Sequence, residues 1–221
     1  MRFGAIFDLD GTLVDSYDAH VAAWQRMSSL HGVPISIEQF QRHFGRRNHH
    51  FLSEVWLEAG KGDLSHESVE QLGSEKEAIY RELVAQRFPL MDGARELLVA
   101  LDAADWLLAV GSSAPIENVD CAIDALDART LFDAVVTGDD VKRGKPDPEC
   151  FLTAAARLQI PPARCVVIED APAGIAAAMA AGMRCVAITS KGHRSESQRD
   201  AHLVVGSLRE LTPERMADLV R

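Results

Sequence analysis

Phe7-Asp8-Leu9-Asp10-Gly11-Thr12-Leu13-Val14-Asp15 closes an apolar run that begins at Phe3, and it sets two carboxylates two positions apart. In a β-strand, positions i and i+2 share a side, so a strand over residues 3–9 would deliver Asp8 and Asp10 together where it stops. Gly11 lets the chain turn sharply there and lets backbone approach a ligand closely. Two carboxylates aimed from the end of a buried strand suit a nucleophile and a proton donor acting on one substrate. An isolated Asp-x-Asp commonly just decorates a turn, so the meaning of this pair depends on how the other strands end.

Outward from that run the texture changes twice. Residues 16–88 read as almost wholly helical, with helical patterns over 19–30, 37–44, 50–59 and 65–87 and turn-like His31-Gly32-Val33-Pro34 and Gly60-Lys61-Gly62-Asp63 between them. From Asp92 onward, short apolar runs at 106–110, 134–137, 165–168 and 185–188 alternate with helical stretches at 94–103, 115–126, 148–158 and 171–181. Residues 204–205 would add an edge strand and 213–220 a closing helix. That alternation predicts an α/β fold, a parallel sheet with helices on both faces. The first strand is then separated from its sheet by a helical stretch too long to be a structureless loop. It is expected to fold as an inserted helical cap over 16–88, with residues 1–15 and 89–221 forming the core. Ligands of open α/β sheets bind beyond the carboxyl ends of the strands, so the chemistry is expected in the cleft between cap and core.

Composition narrows the class of partner. Of the 221 residues, 47% are hydrophobic and 25% charged, the profile of a soluble globular chain. The net charge of −10, from 33 acidic against 23 basic residues, disfavours nucleic acid or an anionic membrane as partner. Cys121, Cys150, Cys165 and Cys185 form no Cys-x-x-Cys pair, which argues against structural zinc and for free thiols in a reducing cytoplasm. No apolar run reaches the roughly 18 residues of a membrane span. The chain is expected to act in the cytoplasm as a monomer or weak homodimer.

The remaining strand ends collect chemistry on one sheet edge. The run at 106–110 leads into Gly111-Ser112-Ser113, where hydroxyls and backbone N–H groups can meet an anion. The run at 134–137 leads to Gly138-Asp139-Asp140 and then Gly144-Lys145-Pro146-Asp147-Pro148. Gly138 and Lys145 are separated by one residue too many for a phosphate-binding P-loop, and Pro146 replaces its Ser/Thr. The run at 165–168 ends in Glu169-Asp170, followed by an Ala-rich stretch over 171–181 that reads as a close-packed helix and nothing more. Asp8, Asp10, Glu169 and Asp170 gathered within a few ångströms would repel by about 4 kcal/mol per ~4 Å pair at an effective dielectric near 20. Such a group needs a cation, and an all-oxygen donor set matches a hard one, Mg2+. A metal beside Lys145 and Ser112 makes a pocket for a dianionic phosphoryl group.

Asp8-Leu9-Asp10-Gly11-Thr12-Leu13, Ser112, Lys145 in Gly-Lys-Pro-Asp-Pro, and Glu169-Asp170 resemble the four ordered motifs of the haloacid dehalogenase superfamily. The resemblance spans nearly the whole chain and implies a Rossmann-like core. The helical insert resembles the C1-type cap of the phosphoglycolate phosphatase and β-phosphoglucomutase group. The resemblance implies Asp8 as nucleophile, forming an aspartyl-phosphate, and Asp10 as the acid and base. It implies Gly11, Ser112, Ser113 and Lys145 around the phosphoryl oxygens. The Mg2+ ligands would be Asp8, Asp170 and the Asp10 carbonyl, supported by Glu169. The superfamily's true dehalogenases lack the second aspartate, so Asp10 points away from that chemistry.

Within the group, cap residues separate hydrolases from sugar-phosphate mutases. By resemblance His20 and Lys76 face substrate, although His20 also reads as a packing residue of the cap; Trp24 and Trp56 read as cap core. The mutases carry Gly-x-Ser-Arg, whereas Phe44-Gly45-Arg46-Arg47-Asn48 places Asn48 where that arginine falls. One residue on a helix is about 100° of rotation, so Arg47 need not replace the missing contact, yet Arg47 and Asn48 are expected to face substrate with His20 and Lys76. His43, His49 and His50 read as helical surface. The sequence thus predicts an Mg2+-dependent phosphatase for a small phosphomonoester, a sugar phosphate by resemblance, with a β-phosphoglucomutase-like mutase as the alternative.

Overall fold

The computed structural model describes residues 2–43 and 48–220, the side chains of His43 and of residues 48–50 excepted. Arg47 and the side chains of Asn48, His43, His49 and His50 therefore lie outside the described residues. The chain divides into two compact units, Met1–Asp15 with Pro89–Arg221, and Ser16–Phe88.

The first unit is built on one sheet of β1 (Gly4–Phe7), β2 (Leu107–Gly111), β3 (Ala134–Val136), β4 (Cys165–Glu169), β5 (Arg184–Ile188) and β6 (Leu203–Val205). Its order is β3-β2-β1-β4-β5-β6 and every neighbouring pair is parallel. β1 is buried along its length, as a central parallel strand covered on both faces must be, which is why it reads as an unbroken apolar run. The paired strand is shorter than the 3–9 expected from sequence. It ends at Phe7, but the ladder carries one step further, because the Asp8 N–H donates to the Ile168 carbonyl at 2.9 Å. From β1 the chain builds outward to β3 on one side and then returns to place β4 on the other. Beside β1 the direction of winding therefore reverses, and that is where open α/β sheets form a crevice at their carboxyl ends.

The second unit comprises α1 (Tyr17–Leu30), α2 (Ile37–His43), α3 (Asn48–Glu58) and α4 (His66–Val84). α1 buries His20, Ala23, Trp24 and Met27, the i, i+3, i+4, i+7 stripe of an amphipathic helix, and packs on α4. Trp24 and Trp56 belong to this unit's core with Phe51, Leu52, Val55 and Tyr80. α4 starts cleanly, its Ser65 hydroxyl accepting the Ser68 N–H.

The ends of this insertion are tied together by the first unit's own backbone. The Asp15 N–H donates to the Pro89 carbonyl at 2.7 Å and the Met91 N–H to the Leu13 carbonyl at 2.9 Å. Val14 and Leu90 form an antiparallel bridge between them. The helices that cover the sheet are α5 (Ala94–Ala103), α6 (Ile116–Ala125), α7 (Glu149–Leu158), α8 (Pro172–Ala180) and α9 (Pro213–Val220). α7 buries Cys150, Phe151, Ala154, Ala155 and Leu158 against β1, β2 and β3, while α8 lies on β4 and β5. All four cysteines are free thiols. Among the described residues no helix is long and apolar enough to cross a membrane.

Candidate active site

The register sets the site. Phe7 pairs with Val110 of β2 and Ile168 of β4, so Asp8 leaves the sheet beside Glu169 on one side and one step before Ser112 on the other. Lys145 comes from the loop after β3, its side chain only 8% exposed. Its Nζ donates to Asp8 Oδ1 at 2.6 Å and to Glu169 Oε1 at 2.8 Å. The same ammonium lies 4.7 Å from the centre of the Phe151 ring. Asp8, Glu169 and Asp170, all buried, each present a carboxylate oxygen within 4.8 Å of the others. Three oxygen donors without sulfur or imidazole form a set that could hold a hard divalent cation.

Burial dominates the electrostatics of this cluster. It raises the Asp8 carboxyl to about 7; Lys145 opposes the rise, and the charges of Glu169 and Asp10 add to it. Asp170 is likewise pushed well up, by burial first and then by Glu169 and Asp8. Burial alone would lower Lys145, but the carboxylates of Asp8 and Glu169 outweigh it and hold the ammonium protonated. One lysine thus sits among three crowded acids without neutralising them, and a further positive charge would lower Asp8 and Asp170 toward the ordinary carboxylate range.

Two glycines make the close approach possible. Gly11, at φ +79°, would as alanine bring its Cβ within 2.0 Å of Asp170 Oδ2. Gly174 lies inside α8, where a Cβ would come within 1.7 Å of Glu169 Oε1. The 171–181 run, read from sequence as a packed helix alone, therefore also carries the space that Glu169 occupies. Glu169 is braced there by the Ala171 N–H, which donates to its Oε2 at 2.5 Å. Alanine at position 174 would favour the helix by about 1 kcal/mol. Displacing a buried, paired carboxylate costs about 3–5 kcal/mol, so the second effect should win. Gly174→Ala is expected to lower both the melting temperature and the catalytic rate; a raised melting temperature would contradict the close packing of Glu169.

The other residues named from sequence fall as follows. Ser112 is buried and its Oγ accepts the Ala114 N–H at 3.0 Å, leaving the hydroxyl proton to donate. Ser113 is exposed, and its carbonyl lies against Gly138. Asp10 is half-buried and its charge acts on Asp8, but its carboxylate is not one of the three clustered groups. In the second unit, His20 and Lys76 are buried and meet each other, Lys76 Nζ lying 2.8 Å from His20 Nδ1. Lys76 also donates to Glu77 at 2.9 Å and lies 5.3 Å from the Trp24 ring, while His20 stacks on Tyr80 at 4.2 Å. Sequence reasoning missed Gly174, Glu77, Ser190 and Gln198. Ser190 donates to Asp170 Oδ2 at 2.7 Å, and Gln198 donates to the Asp170 and Ile188 carbonyls, each at 2.7 Å.

The chain has known relatives. The chain is 37% identical over 207 residues to validoxylamine A 7'-phosphate phosphatase of Streptomyces hygroscopicus subsp. limoneus, covering 94% of each protein. It is 33% identical to hexitol phosphatase A of Escherichia coli (strain K12), over 95% of this chain and 93% of that protein. The crystal structure of β-phosphoglucomutase from Clostridium difficile superposes with a TM-score of 0.88 at 27% identity, covering 100% of this chain and 97% of the other. The family model described as haloacid dehalogenase-like hydrolase matches residues 4–182. Those residues run from the first residue of β1 past the end of α8, so they take in Asp8, Ser112, Lys145, Glu169 and Asp170, and the chain belongs to the haloacid dehalogenase-like hydrolase family.

Proposed function

We propose that this enzyme is an Mg2+-dependent phosphatase that hydrolyses a small phosphomonoester, a sugar phosphate, through a phosphoenzyme on Asp8. The observation that carries the reading is the Lys145 ammonium held between Asp8 and Glu169, with Asp170 in the same buried cluster. Mg2+, held by Asp8, Asp170 and the Asp10 carbonyl with Glu169 beside it, would supply positive charge to the phosphoryl oxygens. The Asp8 carboxylate attacks phosphorus, forming an acyl-phosphate bond as the ester P–O bond breaks, and the Asp10 carboxyl gives its proton to the departing oxygen. Water then attacks the same phosphorus and Asp10 takes its proton. Phosphate leaves and Asp8 is restored. Lys145, the Ser112 hydroxyl and the Ser113 backbone N–H would hold the phosphoryl oxygens, with Gly11 beside them but its own N–H given to the Val14 carbonyl at 2.7 Å.

The unit of residues 1–15 and 89–221 is thus proposed as catalytic, and 16–88 as the cap that selects substrate through His20, Arg47, Asn48 and Lys76. The named phosphatases among the relatives support hydrolysis on phosphorylated carbohydrates. The likeness to β-phosphoglucomutase favours a second reading, in which the phosphoryl group passes to another hydroxyl of the same sugar. Asn48 in place of the mutases' arginine speaks for water as acceptor. A panel of sugar phosphates with Mg2+, scored for both inorganic phosphate and isomerised sugar phosphate, with and without a bisphosphate primer, separates the two. Phosphate release without isomer is the expected result; primer-dependent isomer would establish the mutase, and no turnover of any panel member would reject both.

A further inference from the structure

We infer that Ser190 is a positioning residue that commits Asp170 to bind its metal through one oxygen only, and so sets the site for Mg2+ against Ca2+. The inference rests on the reading that Asp170 is a metal ligand. Ser190 follows β5, on a turn whose sequence, Thr189-Ser190-Lys191-Gly192-His193, carries no catalytic signature. Its Oγ accepts the N–H groups of Gly192 at 3.2 Å and His193 at 3.0 Å. A hydroxyl has two lone pairs and one proton, so both acceptor positions are filled and the proton has one direction left. It goes to Asp170 Oδ2, 2.7 Å away.

The same oxygen is confined from the other side. A Cβ at Gly11 would lie 2.0 Å from Oδ2 but 3.0 Å from Oδ1, so Oδ2 is the oxygen packed down on that glycine. Behind it Gln198, fully buried, uses both amide protons to join the Asp170 carbonyl to the Ile188 carbonyl. The side chain and backbone of Asp170 are thus fixed by one segment, 190–198, with Oδ2 engaged, so that on this inference Oδ1 is the oxygen given to the metal. Mg2+ demands near-ideal octahedral geometry with short bonds, whereas Ca2+ takes six to eight oxygens and accepts both oxygens of a carboxylate. A carboxylate held to one oxygen serves the first ion and penalises the second. Loss of the Ser190 donor frees Oδ2 to chelate.

The test uses the full chain without substrate, with Mn2+ binding followed by electron paramagnetic resonance and bound Mn2+ displaced by Mg2+ or by Ca2+. Removal of a group that orients a metal ligand typically weakens metal binding about 10–100-fold. In Ser190→Ala, Mg2+ affinity is expected to fall about 10-fold while Ca2+ affinity changes by less than about 3-fold, and Ser190→Thr should restore the wild-type ratio. Equal weakening of both ions would show a merely loosened loop and overturn the inference, as would an unchanged ratio. A wild-type chain that hydrolyses phosphomonoesters with Mg2+ yet gives either result loses only this inference. A wild-type chain that binds neither Mn2+ nor Mg2+ loses the functional reading with it.

Discussion

Asp8→Asn is expected to reduce phosphomonoester turnover by at least about 10⁴-fold, the scale on which enzymes lose rate when their nucleophile is removed. An amide cannot form the acyl phosphate, so no arrangement of the remaining groups restores the first step. Stability should not follow activity down. Burial and the neighbouring acids oppose ionisation of Asp8, raising it to about 7, so the folded chain disfavours its charge at neutral pH. Asparagine removes that charge, and its Oδ1 can still accept from Lys145. The expected pair of results is abolished turnover with an unchanged or higher melting temperature in the absence of metal. Trapping of acid-stable, base-labile phosphate on the wild type and not on the variant completes the test; near-normal turnover in Asp8→Asn would remove the nucleophile assignment.

Asp10→Asn should be the second most damaging change, slowing sugar-phosphate hydrolysis about 10²–10⁴-fold, the contribution of a positioned acid and base. The loss divides between two steps in a way that a misfolded variant would not reproduce. With p-nitrophenyl phosphate the leaving phenolate needs no proton, so phosphorylation of Asp8 should proceed and release one equivalent of nitrophenolate per site. Hydrolysis of the phosphoenzyme still lacks its base, so turnover should stall after that burst. The Asp10 carbonyl survives the substitution, and metal affinity is expected to change little. Equal slowing on activated and sugar substrates without a burst would assign Asp10 a structural role instead.

The sheet was legible because parallel strands buried on both faces read as bare apolar runs, as residues 4–7 and 165–168 do. The end of the chain was equally clear: Pro213 opens α9, which runs to Val220 as the pattern indicated. The acids were legible because each stands at the first polar position after such a run or within two residues of it. What stayed hidden depends on partners distant in sequence. Ser190 in a Ser-Lys-Gly turn looks like loop chemistry until Asp170 appears 20 residues earlier at hydrogen-bonding distance. Gly174 in an alanine-rich helix differs from its neighbours by one methyl group, and only the Glu169 carboxylate in that space gives the absence meaning. Strand length was overestimated because Leu9 is apolar and buried, though it has already left the ladder. In the helical unit the pattern correctly put Trp24 and Trp56 in the core, but it carried no sign that the Lys76 ammonium would be buried beside His20 and Glu77.

The short clasp formed by residues 13–15 and 89–91 has a consequence for how this architecture can change over time. For a flexible chain, closing an excursion from Ser16 to Phe88 costs about 4 kcal/mol of entropy, and doubling its length adds only about 0.6 kcal/mol more. Backbone hydrogen bonds of the clasp fix where that excursion departs and rejoins. Helices can be lengthened, exchanged or remodelled between those two points while the register that brings Asp8 beside Glu169 is inherited intact. On the proposed division of roles between the two units, selectivity and reactivity are thereby free to evolve at different speeds within one gene.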